Sequence, residues 1–188
     1  MKISTEEKLI LLNAARDSIK SKFEETEIQT PDYNKYPTLK SKSGAFVTLT
    51  ENKNLRGCIG YIISNKKLFD TVCDAAIHAA FHDLRFYPLQ KNELERISIE
   101  ISILSEPFPL KSYDEIKLGV HGLIIEEEGR RGLLLPQVPI EHKMNKEEYL
   151  DAICQKAGLP KNLWREKQVN LSGFTATVFS EESIKEEK

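Results

Sequence analysis

Apolar residues return along this chain with two different periods, and the switch between periods marks out its elements. Leu12, Ala15, Ile19 and Phe23 recur at helical spacing behind Ser4-Thr5-Glu6-Glu7, a capping-box pattern. They predict a first helix running to about Glu25. Pro31 and Pro37 then sit among polar neighbours, so residues 30–43 read as an ordered loop. Residues 44–50 and 55–63 read as two strands, with Glu51-Asn52-Lys53-Asn54 as a hairpin loop between them. Between residues 67 and 82, Leu68, Val72, Ala75, Ala76 and Ala79 make a narrow stripe of mostly small residues, which predicts a helix packed closely on a sheet. Residues 97–103 alternate isoleucine with serine or glutamate. That alternation predicts a strand with one buried face and one face that is wet or functional.

The second half is less regular. Residues 112–117 fit a short helix, and residues 120–126 and 132–138 fit a hairpin whose exposed tip is 127–131. Asn145 caps a helix through Tyr149, Ile153 and Ala157, and Gly158 with Pro160 stops it. Residues 169–179 read as a last strand, and residues 181–188 as a charged, disordered tail behind a single domain spanning 4–180. Helices and hairpins alternate without a regular βαβ pattern. The fold class is therefore α+β, a largely antiparallel β-sheet flanked by helices.

Composition narrows the classes of function. With 188 residues, 40% apolar and 30% charged, the chain is long enough to bury a core without staples. A net charge of −2 argues against nucleic acid, because phosphate neutralisation needs a basic excess. No apolar run is long enough to cross a bilayer, and the first residues do not form a secretory signal, so the reading is cytoplasmic with no membrane partner. Cys58, Cys73 and Cys154 are an odd number of cysteines, widely spaced, which argues against a disulfide framework or a zinc clip.

The densest chemistry lies in Leu55-Arg56-Gly57-Cys58-Ile59-Gly60. On a regular strand Arg56, Cys58 and Gly60 share one face, while Leu55, Gly57 and Ile59 share the core face. Gly60 would then leave open room beside the Cys58 sulfur, and Gly57 is a point of close backbone approach or bending. Side chains two apart on a strand start about 6.6 Å from each other. At that range the Arg56 charge favours a Cys58 thiolate by about 0.6 kcal/mol in water and about 2.5 kcal/mol at an effective dielectric of about 20. Cys58 and Arg56 are therefore the candidate catalytic pair, set against the ordinary reading of a cysteine as a buried packing residue. Cys73 and Cys154 lie along helical apolar stripes and read as core.

This hexapeptide resembles the signature of the AMMECR domain family, and the resemblance extends beyond it. Residues 44–49, the Ala79-Ala80-Phe81-His82-Asp83-Leu84-Arg85-Phe86 segment, residues 99–104, His121-Gly122-Leu123-Ile124, residues 132–138 and residues 154–159 match the family in order. Leu84 stands where the family often has proline. The resemblance implies an α+β fold of a larger and a smaller lobe with a cleft between them, the hexapeptide lying close to that cleft. It also implies an association with Memo-like and radical-SAM proteins, hinting at a modification or redox pathway. This chain lacks the closely spaced cysteine triplet of a radical-SAM cluster. It implies no particular cofactor or small-molecule ligand.

Other polar residues complete the candidate cleft. Asp83 and Arg85 fit either a functional pair at a helix end or a cap on that end. Glu100, on the polar side of its strand, fits a general base or, better, an ion-pair partner for Arg56. His121 lies in a family-like segment, and Gln137 between Pro136 and Pro139 suits a loop staple or a substrate contact. Asp74, His78 and His82 share one side of a helix, where a solvated ladder is the simpler reading than a metal site. Two readings stay open: an enzyme or accessory subunit with a site beside Cys58, or a non-catalytic interaction module whose hexapeptide is structural.

Overall fold

A computed structural model describes residues 3–186. It is a mixed α+β structure with two four-stranded sheets, each in its own compact unit. Residues up to Leu104, together with those from Thr177 on, form the larger unit; Ser105–Ala176 form the smaller.

In the larger unit, helix α1 (Thr5–Lys20) opens with the expected capping box: Ser4 accepts from the Glu7 amide while Glu7 accepts from the Ser4 amide. It stops at Lys20, short of the predicted Glu25. Strands β1 (Ala45–Glu51) and β2 (Asn54–Tyr61) form a hairpin closed by Asn52 and Lys53, both at positive φ. The loop is thus two residues long rather than four, a turn whose twist matches that of its strands. Helix α2 (Leu68–Phe81) and strand β3 (Ile97–Leu104) follow, and the sheet order is β2-β1-β3-β8, where β8 is Ala176–Ser180. Strand β1 is antiparallel to both β2 and β3. Leu11, Ala15 and Ile19 of α1 and Val72, Ala76 and Ala79 of α2 share one core with Val47, Leu49, Ile99 and Ile101 of the sheet. The isoleucines of β3 face that core as predicted.

In the smaller unit the sheet order is β4-β7-β5-β6, from β4 (Phe108–Pro109), β7 (Leu171–Phe174), β5 (Gly122–Glu127) and β6 (Arg130–Leu134). Glu128 and Gly129, both at positive φ, close the β5–β6 hairpin. Helix α4 (Lys146–Lys156), capped by Asn145, buries Tyr149, Ile153 and Cys154 against Leu123, Ile125 and Leu171. Short helical turns α3 (Val138–Glu141) and α5 (Leu163–Glu166) flank it, and residues 113–115 make a single 3₁₀ turn.

Two further expectations need correction. Residues 169–179 are not one strand: β7 and β8 belong to different sheets, split at Thr175. A continuous apolar pattern cannot reveal a strand that changes sheets. Residues 181–186 form helix α6 (Glu181–Glu186), in which Ile184 is buried and Glu181 binds Arg16 at 2.6 Å; residues 187 and 188 of the expected tail lie outside the described residues. Among the described residues no helix is long and apolar enough to cross a membrane.

Candidate functional site

The hexapeptide lies on β2, an outer strand of the larger unit's sheet. Its alternation is not regular. Leu49 pairs with Gly57 but Thr50 pairs with Leu55, so a β-bulge leaves Arg56 without an opposite residue. Leu55, expected on the core face, is 44% exposed as a result. Arg56 points its guanidinium at Glu93, with Nε 2.7 Å from Oε1 and Nη2 3.1 Å from Oε2. The carboxylate bonded to Arg56 here is that of Glu93; the sequence had suggested Glu100 as its partner. The bidentate bond holds Glu93 below the usual carboxylate range. The bulge interrupts the regular alternation on which the expected shared face of Arg56 and Cys58 was based.

The glycines are filled against, not left open. A Cβ on Gly57 would stand 2.1 Å from the Ala79 carbonyl oxygen, so β2 and the end of α2 approach to a distance only glycine allows. A Cβ on Gly60 would stand 2.5 Å from Cγ of Phe46, so the room expected beside the sulfur is taken by the Phe46 ring.

Cys58 is half-buried, and its sulfur accepts a hydrogen bond from Thr48 Oγ1 at 3.3 Å. Thr48 is opposite Cys58 on one side and Glu100 on the other, which lines the three up across β2, β1 and β3. Cys58 and Glu100 are then about 10 Å apart along the sheet, too far for direct proton transfer.

Asp83 and Arg85 do come together with Cys58. The Cys58 amide donates to Asp83 Oδ2 at 2.9 Å, and Arg85 Nη2 donates to the Cys58 carbonyl at 3.3 Å. Arg85 also donates to Asp83 through Nε (2.9 Å) and Nη2 (2.7 Å). Asp83 is only 6% exposed. The Arg85 guanidinium, and after it the Cys58 amide, hold its carboxyl well below the usual carboxylate range although burial opposes the shift. Arg85 is in turn kept firmly protonated by Asp83 and, more weakly, by the Cys58 sulfur. Arg85, not Arg56, is thus the cation tied to Cys58. Beyond α2 the same loop leaves Leu84 fully exposed and Tyr87 90% exposed.

A family model for AMMECR1 matches residues 12–179. The chain belongs to the AMMECR1 family. A relative from Thermococcus gammatolerans is 38% identical over 92% of this chain and 89% of its own, and one from Aquifex aeolicus is 39% identical over 91% of each. The crystal structure of an uncharacterised protein from Pyrococcus horikoshii, 35% identical, superimposes with a TM-score of 0.87 over 98% of this chain and 96% of that one.

The family-like residues His121 and Gln137 belong to the smaller unit. Tyr149, read from the sequence only as part of a helix's apolar stripe, is fully buried with its hydroxyl 3.2 to 3.3 Å from the carbonyls of His121, Leu134 and Leu135. It ties the start of β5 to the end of β6, just ahead of Gln137, and burial pushes its own phenol up. Gln137 Oε1 is a buried oxygen with no hydrogen-bond partner among the described residues. His121 packs edge-on to Phe108 at 5.2 Å.

His78 and His82 lie on α2 and its C-cap with ring centroids 4.9 Å apart, and His78 Nδ1 is 2.8 Å from the Asp74 carbonyl. Asp74 itself accepts from Tyr61 and Lys66, and no group of three metal-ligating side chains occurs among the described residues. Burial pushes up the thiols of Cys73 and Cys154, as suits packing residues. Of the residues that shape the site, Thr48 and Glu93 were not singled out by the sequence; only the strand register and the fold bring them in.

Proposed function

We propose that this AMMECR1-family chain is a protein-binding module in which the hexapeptide is structural and the loop at residues 83–87 makes the contact. One observation carries this reading: the chemical groups of the hexapeptide are already engaged inside the fold. Arg56 is held by Glu93, Gly57 lies against Ala79, the Cys58 amide is held by Asp83, and Gly60 lies under Phe46. What these contacts position is the loop, whose Leu84, Arg85 and Tyr87 combine apolar area with two of the residue types that dominate binding hot spots. The occupant is a protein surface with an apolar pocket for Leu84 and Tyr87 and an acceptor for Arg85. Memo-like and radical-SAM proteins, with which the family resemblance associates such domains, are the partners to test first.

Calorimetric titration against the Memo-like and radical-SAM proteins of the same host tests this. Leu84→Asp and Tyr87→Ala each abolish binding, and Cys58→Ala keeps it; binding lost with Cys58→Ala and kept with Leu84→Asp would sink the proposal.

A second reading is favoured by the Thr48–Cys58 hydrogen bond and by Arg85 on the Cys58 carbonyl. Here Cys58 is a reactive thiol, of an enzyme or accessory subunit, that takes a modified residue or small molecule. Alkylation of the folded protein separates the two: a Cys58 that labels many times faster than Cys73 and Cys154 supports chemistry, and equal rates exclude it.

A further inference from the structure

The register of the hairpin decides which way the backbone of β2 faces. Between Gly57 and Tyr61 the pairing with β1 is regular, and the Cys58 amide is committed to Asp83 rather than to Thr48. In an antiparallel pair, inward and outward backbone groups alternate. Gly57, Ile59 and Tyr61 therefore bond to β1, while Cys58 and Gly60 turn their N–H and C=O outward from the sheet. The short Thr48–Cys58 side-chain contact fits such a non-hydrogen-bonded pair.

Asp83 and Arg85 meet this outward edge as a neighbouring strand would. The carboxylate accepts the Cys58 N–H and the guanidinium donates to the Cys58 C=O. Two side chains thus supply the acceptor and the donor that one residue of an added strand supplies from its backbone. Gly60, two residues on, has no such cap among the hydrogen bonds of the described residues. It also carries no side chain to hold another backbone away. An edge with outward N–H and C=O groups is a template for strand addition unless it is blocked, and here the block covers one residue and stops.

We propose that the outer edge of β2 at Cys58 and Gly60 is a strand-addition site for an extended segment of a partner protein, with Asp83–Arg85 as the cap which that segment displaces. The proposal rests on the binding-module reading and gives it a mode. The segment first pairs with Gly60 and then exchanges its own carbonyl and amide for Asp83 and Arg85 at Cys58. Displacement swings the exposed Leu84 and Tyr87 beside the incoming strand, where they supply the apolar contact that backbone bonds alone do not. Main-chain bonds give the affinity, and the side chains flanking the edge choose the sequence.

The test selects random linear peptides from a displayed library on the wild-type protein and follows amide hydrogen exchange at Gly60. Selected peptides slow exchange at Gly60, and bind an Asp83→Ala variant, which lacks the cap's acceptor and its hold on Arg85, about tenfold tighter, because the cap no longer competes. Should that variant fail to fold, exchange at Gly60 in the wild type decides alone. Peptides that bind and leave Gly60 exchange unchanged overturn strand addition, while binding that is still lost with Leu84→Asp leaves the binding-module reading standing. Enrichment of no peptide also overturns it. Self-association of the variant with Gly60 protected assigns the edge to a second copy of the chain, and overturns the partner assignment.

Discussion

Asp83 and Asp151 are both buried acids held by an arginine, one in each unit, and they are used in different ways. Asp83 takes a backbone amide of the hexapeptide, and its arginine takes the carbonyl of that same residue. Asp151 takes side chains: Trp164 Nε1 at 2.7 Å and Arg165 Nη1 at 2.9 Å, with Lys161 Nζ at 3.5 Å. The first cluster fixes a strand edge and the loop beside it. The second staples α4 to α5, two elements close in sequence. Burial pushes the Asp151 carboxyl up, and the bonds from Trp164 and Arg165 more than offset it. For Asp83 the arginine bond is the leading effect. A buried acid is therefore informative about function only through what it holds, and Asp83 holds the family's marker.

The contrast can be broken from either side. The largest effect is expected from Gly57→Ala, which drives a methyl into the Ala79 carbonyl and parts α2 from β2; a loss of about 3 kcal/mol in urea unfolding checks it. Next comes Asp83→Asn, expected to cost about 2 kcal/mol at pH 7 through the weakened charged bonds. The sign with pH follows from a carboxyl whose folded pKa is depressed. Its contribution is complete above the unfolded value of about 3.9 and is lost as pH falls below it. The gap between wild type and Asp83→Asn therefore holds down to about pH 4 and narrows steadily as pH falls further toward the strongly depressed folded value. Asp151→Ala is expected to cost about 1.5 kcal/mol and to change the fluorescence of Trp164, while exchange at the Cys58 amide stays as it was. Cys58→Ala, which removes the Thr48 hydrogen bond and leaves the backbone contacts of Asp83 and Arg85 in place, is expected to cost less than about 1 kcal/mol. A loss for Asp151→Ala that also freed the Cys58 amide would erase the distinction between the two acids.

The regular parts of this architecture were legible in the residues. The Ser4–Glu7 box, the isoleucines of β3, the alanine stripe of α2 and the Asn145 cap each state a local preference that packing then confirms. The candidate site was legible only in part. Asp83 and Arg85 reach Cys58 as a motif match suggested, but the Arg56–Cys58 pairing depended on an unbroken alternation. One extra residue in β2 next to Thr50 interrupts that alternation, and Glu93, far along the chain, holds the Arg56 guanidinium. Neither a bulge nor a partner of this kind has a local pattern. The division of residues 171–180 between two sheets was hidden for the same reason, since β7 and β8 are each apolar and only one residue separates them.

That division has a consequence for how the molecule is made. The larger unit is discontinuous: β8 and α6 arrive after the whole of the smaller unit has been synthesised. Until then β3, with its run of isoleucines, is the outer strand of a three-stranded sheet, and Arg16 waits for Glu181. The smaller unit, by contrast, is complete in one stretch and free to fold first. A chain ended just before residue 177 would therefore carry a folded smaller unit and an unfinished larger one with an open sheet edge, the species on which a chaperone or an aggregate would act.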